Sequence, residues 1–358
     1  MLFLSAVFLG VQGVLALIFL DWMTRLRLGE DSPAKHGISN QQSSRLGGLA
    51  VAMLVLCFFL LEITNEQSGV ERDLLVYGFN GLALVAVILC ALMGLTEDLK
   101  PDYLSPRARL GLKFLVFGAV GYLWPELIPT ELGVAPFDFL LSLPVLGWLL
   151  LTIFLVGFIN AMNMADGANG LVAGIVFCAL FIFYGQTGRV IDASLVSAFG
   201  VFLIFNVIKG RLFLGDMGTY GAGCAVALYS LVGFNLGSFS LMFLAALFAY
   251  PCIDFLVSIG RRLLQGRSPF LPDNDHLHNR IYFQLAKRLG SGVLANSLTG
   301  LLISGSTSGL VLLGYSQQWW PISSNEWGVV FVVQIAAYLV AFIIFCRGRG
   351  LSQYSEAI

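Results

Sequence analysis

Charged residues are scarce in this sequence of 358 residues: Asp, Glu, Lys and Arg together make up 11% of the chain, whereas 58% is hydrophobic. Soluble domains carry about twice that share of charge. Uncharged apolar runs recur along the chain, and a bilayer is crossed by about 20 apolar helical residues. The composition therefore predicts a multi-pass membrane protein. Its spans must be helices, because each span has to satisfy its own backbone polar groups.

Cysteine and histidine are also few, with six Cys and three His. Five of the Cys lie inside apolar runs and no C-x-x-C spacing occurs, so neither a disulfide framework nor a zinc site is indicated. The first apolar run lacks a basic leading segment and a small-residue cleavage site before Asp21, so we expect a retained span rather than a signal peptide. No repeat or linker divides the chain, which predicts one integral-membrane domain over residues 1–358.

The apolar runs predict an all-α fold with about eleven transmembrane helices. The predicted spans are Leu2–Leu20, Leu46–Ile63, Leu74–Met93, Ala108–Leu123, Phe139–Phe158, Leu171–Tyr184, Ala193–Ile208, Thr219–Phe234, Phe239–Ile259, Val293–Leu313 and Gly328–Phe345. The sixth of these is short for a bilayer. We keep it because its omission would move the basic residues of the later loops to the opposite side.

Basic residues predict the orientation of the chain. Eighteen of the 20 Lys and Arg fall in loops of one side, and only Arg72 and Arg189 fall in loops of the other. Because cytoplasmic loops carry the excess of Lys and Arg, the N-terminus is expected in the periplasm and the C-terminus in the cytoplasm. The basic residues follow the topology rather than forming one patch, so nucleic-acid binding is not indicated.

A polar segment, Asn160–Gly170, separates two of the apolar runs. It reads Asn-Ala-Met-Asn-Met-Ala-Asp-Gly-Ala-Asn-Gly. Asn163, Asp166 and Asn169 recur at every third residue, so on a helical turn they would share one face. Their carboxylate and amide oxygens suit a hard cation or a polar ligand. The segment lies on the predicted cytoplasmic side.

Further acidic residues lie at the cytoplasmic ends of other predicted spans. Glu97 and Asp98 are adjacent at the end of the third span, and Lys113 is one of four basic residues that follow. Asp216 lies between two glycines where the eighth span begins, so a ligand could come close to the backbone there. An ion cluster and a helix cap are the structural alternatives for these acids.

The last long cytoplasmic segment contains two of the three His, His276 and His278, with arginines on both sides. This setting favours a phosphate chain over a metal as the ligand of the two imidazoles. Asp254 lies inside the ninth predicted span, where a lone carboxylate is costly. We expect it to pair with Arg261 or Arg262, two helical turns further along.

Acids, amides, imidazoles and guanidinium groups thus gather on one membrane face. Magnesium keeps few protein ligands and relies on substrate phosphates, so this set predicts a magnesium-dependent site where a phosphorylated soluble substrate meets a lipid phosphate. A transporter is the alternative of a different class. Transporters gather polar groups near the midplane and often show inverted repeats, whereas these groups lie at span ends.

At these positions the sequence resembles the polyprenyl-phosphate N-acetylhexosamine-1-phosphate transferases, a branch of glycosyltransferase family 4. The resemblance runs from Asp31 to Arg288, and its strength lies in the order of five motifs on one side of the membrane. The motifs are Asp31-Ser-Pro-Ala-Lys-His36 with Gly47-Gly48, Glu97-Asp98, Asn160–Gly170, Phe213-Leu-Gly-Asp-Met-Gly218, and Gly266-Arg-Ser-Pro-Phe270 followed by His276-Leu-His278. Eleven spans and an outer N-terminus also resemble the bacterial enzymes that begin O-antigen and related envelope glycans.

The sequence departs from the family pattern at three positions. Glu97 replaces the first Asp of the acidic pair, Asn169 replaces the second acid of Asp-Gly-x-Asp-Gly, and Asn279 replaces the third His of His-x-His-His. These changes alter reach and charge at the metal and at the nucleotide end. The three changes do not alter the reaction class that the resemblance implies, but they leave the identity of the donor sugar undetermined.

The resemblance implies transfer of an N-acetylhexosamine-1-phosphate from a UDP-sugar to undecaprenyl phosphate, which gives undecaprenyl-pyrophosphoryl-sugar and UMP. The expected cofactor is Mg²⁺, with Mn²⁺ as an alternative, and the expected location is the bacterial inner membrane. Direct attack by the lipid phosphate is favoured over a covalent enzyme intermediate. The alternative within the family is the phospho-MurNAc-pentapeptide transferase of peptidoglycan synthesis. A homodimer is compatible with the sequence, which does not determine the oligomeric state.

The resemblance also implies roles for individual residues. Asp216 and Asn163 are expected to hold the metal. Asp98, Glu97 and Asp166 are expected to be catalytic, with Asp98 orienting the lipid phosphate and Asp166 positioning the nucleotide-sugar. The expected substrate-binding residues are Lys35, His36, Lys113, Asn169, Arg267, His276 and His278.

Overall fold

The computed structural model describes residues 2–26, 29–31, 43–65, 81–268 and 275–346. Lys35 and His36 lie outside these residues, as does the start of the third predicted span. The helices are α1 (Leu2–Met23), α2 (Gly47–Asn65), α3 (Gly81–Leu99), α4 (Pro106–Leu123), α5 (Ala135–Leu141), α6 (Pro144–Ala165), α7 (Leu171–Thr187), α8 (Val190–Lys209), α9 (Gly215–Asn235), α10 (Leu241–Leu247), α11 (Ala249–Leu264), α12 (Leu277–Leu289), α13 (Gly292–Ser304), α14 (Leu310–Ser316) and α15 (Trp327–Cys346). Two short antiparallel strands, β1 (Glu30–Asp31) and β2 (Ser43–Ser44), are also present.

Every predicted span overlaps a helix, and an all-α multi-pass membrane protein is confirmed. Among the described residues, six helices are long and apolar enough to cross a membrane: α3, α6, α8, α9, the continuous segment Gly292–Ser316, and α15. The pair α10 and α11 is bent by 79° and makes a seventh if it is one span. Gly10–Met23, Gly47–Ile63 and α7 are shorter apolar helices. The number eleven and the orientation of the termini therefore stay predictions.

Helix ends of this chain follow local sequence signals where they approach the polar segments. The hydroxyl of Ser105 accepts a hydrogen bond from the backbone N–H of Ala108 at 3.2 Å, and Pro106 is the first residue of α4. Proline is suited to this position because the N–H it lacks would have no partner inside the helix. Gly210 ends α8 with φ of 59°, and Gly215 starts α9 with φ of 70°. Two left-handed glycines thus turn the chain sharply just before Asp216.

Glycines let α2, α3 and α9 approach one another backbone to backbone. A side chain on Gly48 would collide with the backbone of Gly218, and one on Gly94 would collide with the backbone of Asp216 and Met217. Small residues allow this close approach in membrane helices. The first turn of α9 is consequently held between α2 and α3.

The residues before α2 pair with the residues before α9 and hold the same turn in place. The backbone N–H of Ser44 donates to the carbonyl of Arg211 at 2.9 Å, and that of Gly47 donates to the carbonyl of Phe213 at 2.9 Å. These bonds satisfy backbone groups that lie outside the helices. They join two segments that are more than 160 residues apart in the chain.

The orientation of the chain can be measured with reporter fusions. A periplasm-specific reporter fused after Gly188, which lies between α7 and α8, should be active, and one fused after Asp275 should be silent. The reason is the uneven distribution of Lys and Arg between the two sets of loops. An active fusion after Asp275 would place the polar segments on the periplasmic side and contradict a cytoplasmic site.

Candidate functional site

Asp216, in the first turn of α9, is the centre of the polar cluster. Its Oδ1 accepts a hydrogen bond of 2.8 Å from Nδ2 of Asn163, near the end of α6. The same Nδ2 lies 2.9 Å from the hydroxyl of Thr219. On the other side, a guanidinium nitrogen of Arg109 is 3.5 Å from Oδ2 of Asp216. The carboxylate is therefore held between an amide and a cation and is still partly exposed.

Asp98, at the end of α3, is buried against the start of α9. Its two carboxylate oxygens accept the backbone N–H groups of Asp216 and Met217 at 2.9 and 2.8 Å. The first turn of a helix has backbone N–H groups without intrahelical partners, and a carboxylate satisfies them well. Asp98 thus fixes the turn that carries Asp216.

Glu97 differs from its neighbour in what its two oxygens contact. Its Oε1 accepts the backbone N–H of Asp102 at 2.9 Å and lies 3.5 Å from Arg109. Its Oε2 is buried and has no hydrogen-bond partner among the described residues. A buried carboxylate oxygen without a partner is costly, which marks it as an oxygen that a ligand could satisfy.

Asp166 lies just beyond α6, which ends at Ala165. The expectation that Asn163, Asp166 and Asn169 share a helical face is therefore wrong, because the helix stops before the second of them. The pKa of Asp166 is raised to about 7 by burial first and then by the neighbouring carboxylates of Asp216 and Asp98, against a backbone hydrogen bond from Gly215. Three acids converge here, so the site favours a cation.

A cavity of about 230 Å³ lies at this convergence. Asn163, Asp166 and Asn169, which the sequence predicted to act together, all line this cavity. They meet there because the loop after α6 folds back over the start of α9. Its lining residues are Arg45, Asp98, Asn163, Asp166, Gly167, Ala168, Asn169, Asn206, Phe213, Leu214, Gly215, Asp216 and Asn296. No individual role was predicted from the sequence for Arg45, Asn206, Phe213 or Asn296, although Phe213 belongs to one of the motifs.

An amide network ties the loop after α6 to two other helices. The backbone N–H of Asn169 donates to Oδ1 of Asn296 at 2.9 Å, and its Nδ2 donates to the hydroxyl of Ser297 at 3.2 Å. The N–H of Gly170 donates to Oδ1 of Asn206 at 2.6 Å. Oδ1 of Asn169 is buried and lacks a partner among the described residues. Asn296 lies in α13, an apolar helix without charged residues, so its contact with this loop could not be recognised from the sequence.

Lys113, which was predicted to meet a phosphate, is buried on α4. Its ammonium group donates to Oδ1 of Asn160 at 2.6 Å and lies 3.7 Å above the ring of Tyr220. An amide oxygen and an aromatic face both stabilise a cation away from water. The structure therefore places a positive charge beside α9, and its contact with phosphate stays a prediction.

Asp254 and the His pair form a second polar cluster, where α11 meets α12. The expected pairing of Asp254 with Arg261 or Arg262 is wrong. Its Oδ2 lies 2.6 Å from Nδ1 of His276, and its Oδ1 accepts the hydroxyl of Tyr338 at 2.8 Å. The polar end of α12 returns to α11 and brings a closer partner than residues two turns along the same helix.

His278 connects this cluster to the cavity. Its Nε2 lies against Gly167, where a side chain would collide with the imidazole. Its Nδ1 is 2.8 Å from the hydroxyl of Tyr250, and burial lowers the pKa of His278 to about 4. The rings of His276 and His278 are parallel, with centroids 5.3 Å apart. Arg267 is exposed and makes no side-chain contact with the pair among the hydrogen bonds of the described residues.

The oxygens of this site allow a test of whether a divalent cation fits. Among the described residues, no group of three or more His, Cys, Asp and Glu side chains is placed to hold a metal. Asp216 and Asn163 form a smaller set. The amide of Asn163 can turn over, which would place its oxygen about where Nδ2 now lies, 2.8 Å from Oδ1 of Asp216. Neighbouring oxygen ligands of octahedral magnesium are about 2.9 Å apart, so the pair fits Mg²⁺ with further ligands from water and substrate.

Known proteins resemble this chain over most of its length. Residues 81–234 match the family model described as glycosyl transferase family 4. The chain is 27% identical over 334 residues to a probable undecaprenyl-phosphate N-acetylglucosaminyl 1-phosphate transferase of Bacillus subtilis, covering 89% of this chain and 84% of the relative. It is 28% identical over 323 residues to an undecaprenyl-phosphate alpha-N-acetylglucosaminyl 1-phosphate transferase of Thermotoga maritima, covering 89% of each. A phospho-N-acetylmuramoyl-pentapeptide-transferase of Fervidobacterium nodosum is 25% identical over 289 residues, covering 76% of this chain and 88% of the relative.

Proposed function

Because the chain belongs to the polyprenyl-phosphate sugar-phosphate transferases of glycosyl transferase family 4, as its motifs predicted, we propose that it moves an N-acetylhexosamine-1-phosphate. The donor is a UDP-sugar, the acceptor is undecaprenyl phosphate, and UMP leaves. The reaction takes place at the cytoplasmic face of the bacterial inner membrane and begins O-antigen or another envelope polysaccharide. The observation that carries the proposal is the cavity in which Asp216, Asn163 and Asp166 meet.

Charge neutralisation is the main demand of this reaction, because two anionic phosphates must approach each other. The cavity is lined by three carboxylates and one guanidinium, that of Arg45, so further positive charge is needed before it can hold phosphate. Arg109, 3.5 Å from both Asp216 and Glu97, and the buried ammonium of Lys113 supply fixed positive charge at its edge. A divalent cation would supply the rest.

Asp216 and Asn163 are the residues proposed to hold Mg²⁺, and Mn²⁺ could take the same ligands. Bound there, the cation would neutralise phosphate oxygens of the donor. Asp98 supports Asp216 through the backbone of α9, because both of its carboxylate oxygens accept backbone N–H groups there. This arrangement favours a positioning role for Asp98 over the predicted contact with the lipid phosphate.

Glu97 is the better candidate for the acceptor phosphate. Its Oε2 is buried and without a partner among the described residues, while Oε1 is held by Asp102 and Arg109. A carboxylate held at one oxygen presents the other in a fixed direction. It could accept the proton of a singly protonated lipid phosphate and orient the attacking oxygen. Glu97 would therefore act where the family pattern has Asp.

The nucleoside end of the donor fits the part of the cavity that is lined by Phe213 and the amide network. Phe213 offers the aromatic ring of this lining, and aromatic faces stack on nucleobases. Oδ1 of Asn169, buried and unpartnered among the described residues, could accept an N–H group. Asp166 lies between this end and Asp216 and is proposed to position the nucleotide-sugar.

The experiment is a donor panel with purified protein. UDP-GlcNAc, UDP-GalNAc and UDP-MurNAc-pentapeptide are each incubated with undecaprenyl phosphate and Mg²⁺, and both UMP and the lipid product are measured. We expect transfer from an N-acetylhexosamine donor that requires the lipid phosphate. Transfer from UDP-MurNAc-pentapeptide alone would favour the peptidoglycan branch instead. Lack of transfer from all three, with the protein folded, would contradict the proposal.

A further inference from the structure

We propose that α13, a helix outside the five motifs, supplies positioning residues to the candidate site. Asn296 and Ser297 hold Asn169, and through it they hold the loop that carries Asp166 at the cavity. The effect of these contacts on transfer rests on the proposed function. The contacts themselves lie within the chain, so they are also tested without any substrate.

Asn296 holds the backbone of the loop. The N–H of Asn169 lies between α6 and α7, and among the described residues no backbone carbonyl accepts it. Its acceptor is Oδ1 of Asn296 at 2.9 Å. Both residues are buried, so removal of this oxygen would leave an N–H group without a partner away from water, which is costly. The position of the loop therefore depends on a side chain from a distant helix.

Ser297 holds the side chain of the same residue. Its hydroxyl donates to the carbonyl of Val207 at 2.7 Å, so only its lone pairs remain for Asn169. Nδ2 of Asn169 donates to them at 3.2 Å, which fixes the end of the amide that faces α13. Oδ1 of Asn169, which is buried and has no partner among the described residues, is consequently at the other end of the amide. Ser297 thus determines how Asn169 presents its acceptor.

The packing of α13 leaves the loop little room to move. A side chain on Gly300 would collide with the backbone carbonyl of Asn169. Gly300 and Asn296 are four residues apart on α13 and share one face, so the close approach and the hydrogen bond act on the same part of the loop. Nearer its start, the loop is bounded by the imidazole of His278 at Gly167. The part that follows Asp166 is therefore held from both sides.

The first test measures hydrogen exchange of the loop amides in detergent, without donor or acceptor, on peptides that cover residues 166–171. Asn296→Leu keeps the approximate size of the side chain and removes the acceptor, so the Asn169 N–H should exchange about tenfold faster. Asn296→Asp keeps an acceptor oxygen and should preserve the protection. Ser297→Ala should also preserve it, because that hydrogen bond ends at the side chain of Asn169. Unchanged exchange in Asn296→Leu would overturn the proposal.

The second test separates a positioning role from a purely structural one by steady-state kinetics. At saturating Mg²⁺, Asn296→Leu should raise the donor KM or lower kcat by about tenfold or more, while the Mg²⁺ requirement and the acceptor KM stay unchanged. Asn296→Asp should recover part of this loss, because it restores the acceptor for the loop. Ser297→Ala should raise the donor KM by a smaller factor, because it releases only the side chain of Asn169.

Thr299→Val is the matched control on the same helix. The hydroxyl of Thr299 is buried but donates to the carbonyl of Ala295 within α13 at 2.8 Å, so its loss should change neither the exchange of the loop nor the kinetics. Kinetic constants of Asn296→Leu equal to those of Thr299→Val, with or without a lower melting temperature, would overturn the proposal. The expected exchange pattern in a wild-type protein that transfers none of the donors would instead contradict the proposed function.

Discussion

Asp216→Asn is expected to lower transfer by about a hundredfold or more while the protein stays folded in detergent. The amide keeps the size of the side chain and can still contact Asn163, but it loses the charge that a magnesium ligand needs. A metal contributes several kcal/mol of charge stabilisation in such reactions, and each 1.4 kcal/mol is about tenfold in rate. Initial rates are measured over a Mg²⁺ titration at saturating donor and acceptor.

Two variants serve as comparisons for that experiment. Asn163→Ala should weaken the apparent Mg²⁺ affinity and recover turnover at high metal, because it removes a neutral ligand and leaves the carboxylate. Asp138→Asn should leave activity unchanged, because Asp138, on α5, accepts the N–H of Leu132 at 2.6 Å and neither residue lines the cavity. Near-normal activity of Asp216→Asn throughout the titration would show that Asp216 is not the proposed metal ligand.

Gly94→Ala is expected to destabilise the protein and to reduce activity more than the loss of folded protein explains. Its added methyl group would collide with the backbone of Asp216 and Met217, so α3 and α9 must separate. Overpacking of this kind costs about 1–3 kcal/mol, or more where backbone rather than a side chain must move. The displaced backbone is the one that carries Asp216 and that Asp98 holds. Thermal unfolding in detergent and initial rates measure the two effects.

Gly111→Ala is the matched control on the neighbouring helix α4. A methyl group there has nothing within 4 Å, and alanine is the better helix former, so stability should stay the same or rise slightly. Activity should also be unchanged. If Gly94→Ala behaved like Gly111→Ala in both measurements, the contact between α3 and α9 would not be as close as the structure shows.

The helices and the polar segments could be predicted because each corresponds to a short, continuous pattern in the sequence. A run of apolar residues predicts a span wherever the chain crosses a bilayer, and the motif acids mark the ends of these runs. The spacing of Asn163, Asp166 and Asn169 predicted that they act together, but the expected reason, a shared helical face, is wrong. They meet in the cavity because the chain leaves the helix at Ala165 and folds back.

The partners of individual side chains could not be predicted, because they depend on contacts between distant segments. Asp254 was assigned to arginines on its own helix, whereas the structure pairs it with His276 and Tyr338, 22 and 84 residues away. Likewise Glu97 and Asp98 look equivalent in the sequence. Only the position of α9 shows that Asp98 accepts two backbone N–H groups, whereas one oxygen of Glu97 has no partner among the described residues.

Tyr338 belongs to α15, which the ribosome makes after every other segment that contributes to the site. Until that helix is inserted, Asp254 lacks its hydroxyl partner, and Arg280 lacks the carbonyl of Phe342 that it contacts at 3.3 Å. A nascent chain that already carries all the motif residues is therefore incomplete at the His pair. Full activity is therefore expected to begin only when the last helix has entered the membrane.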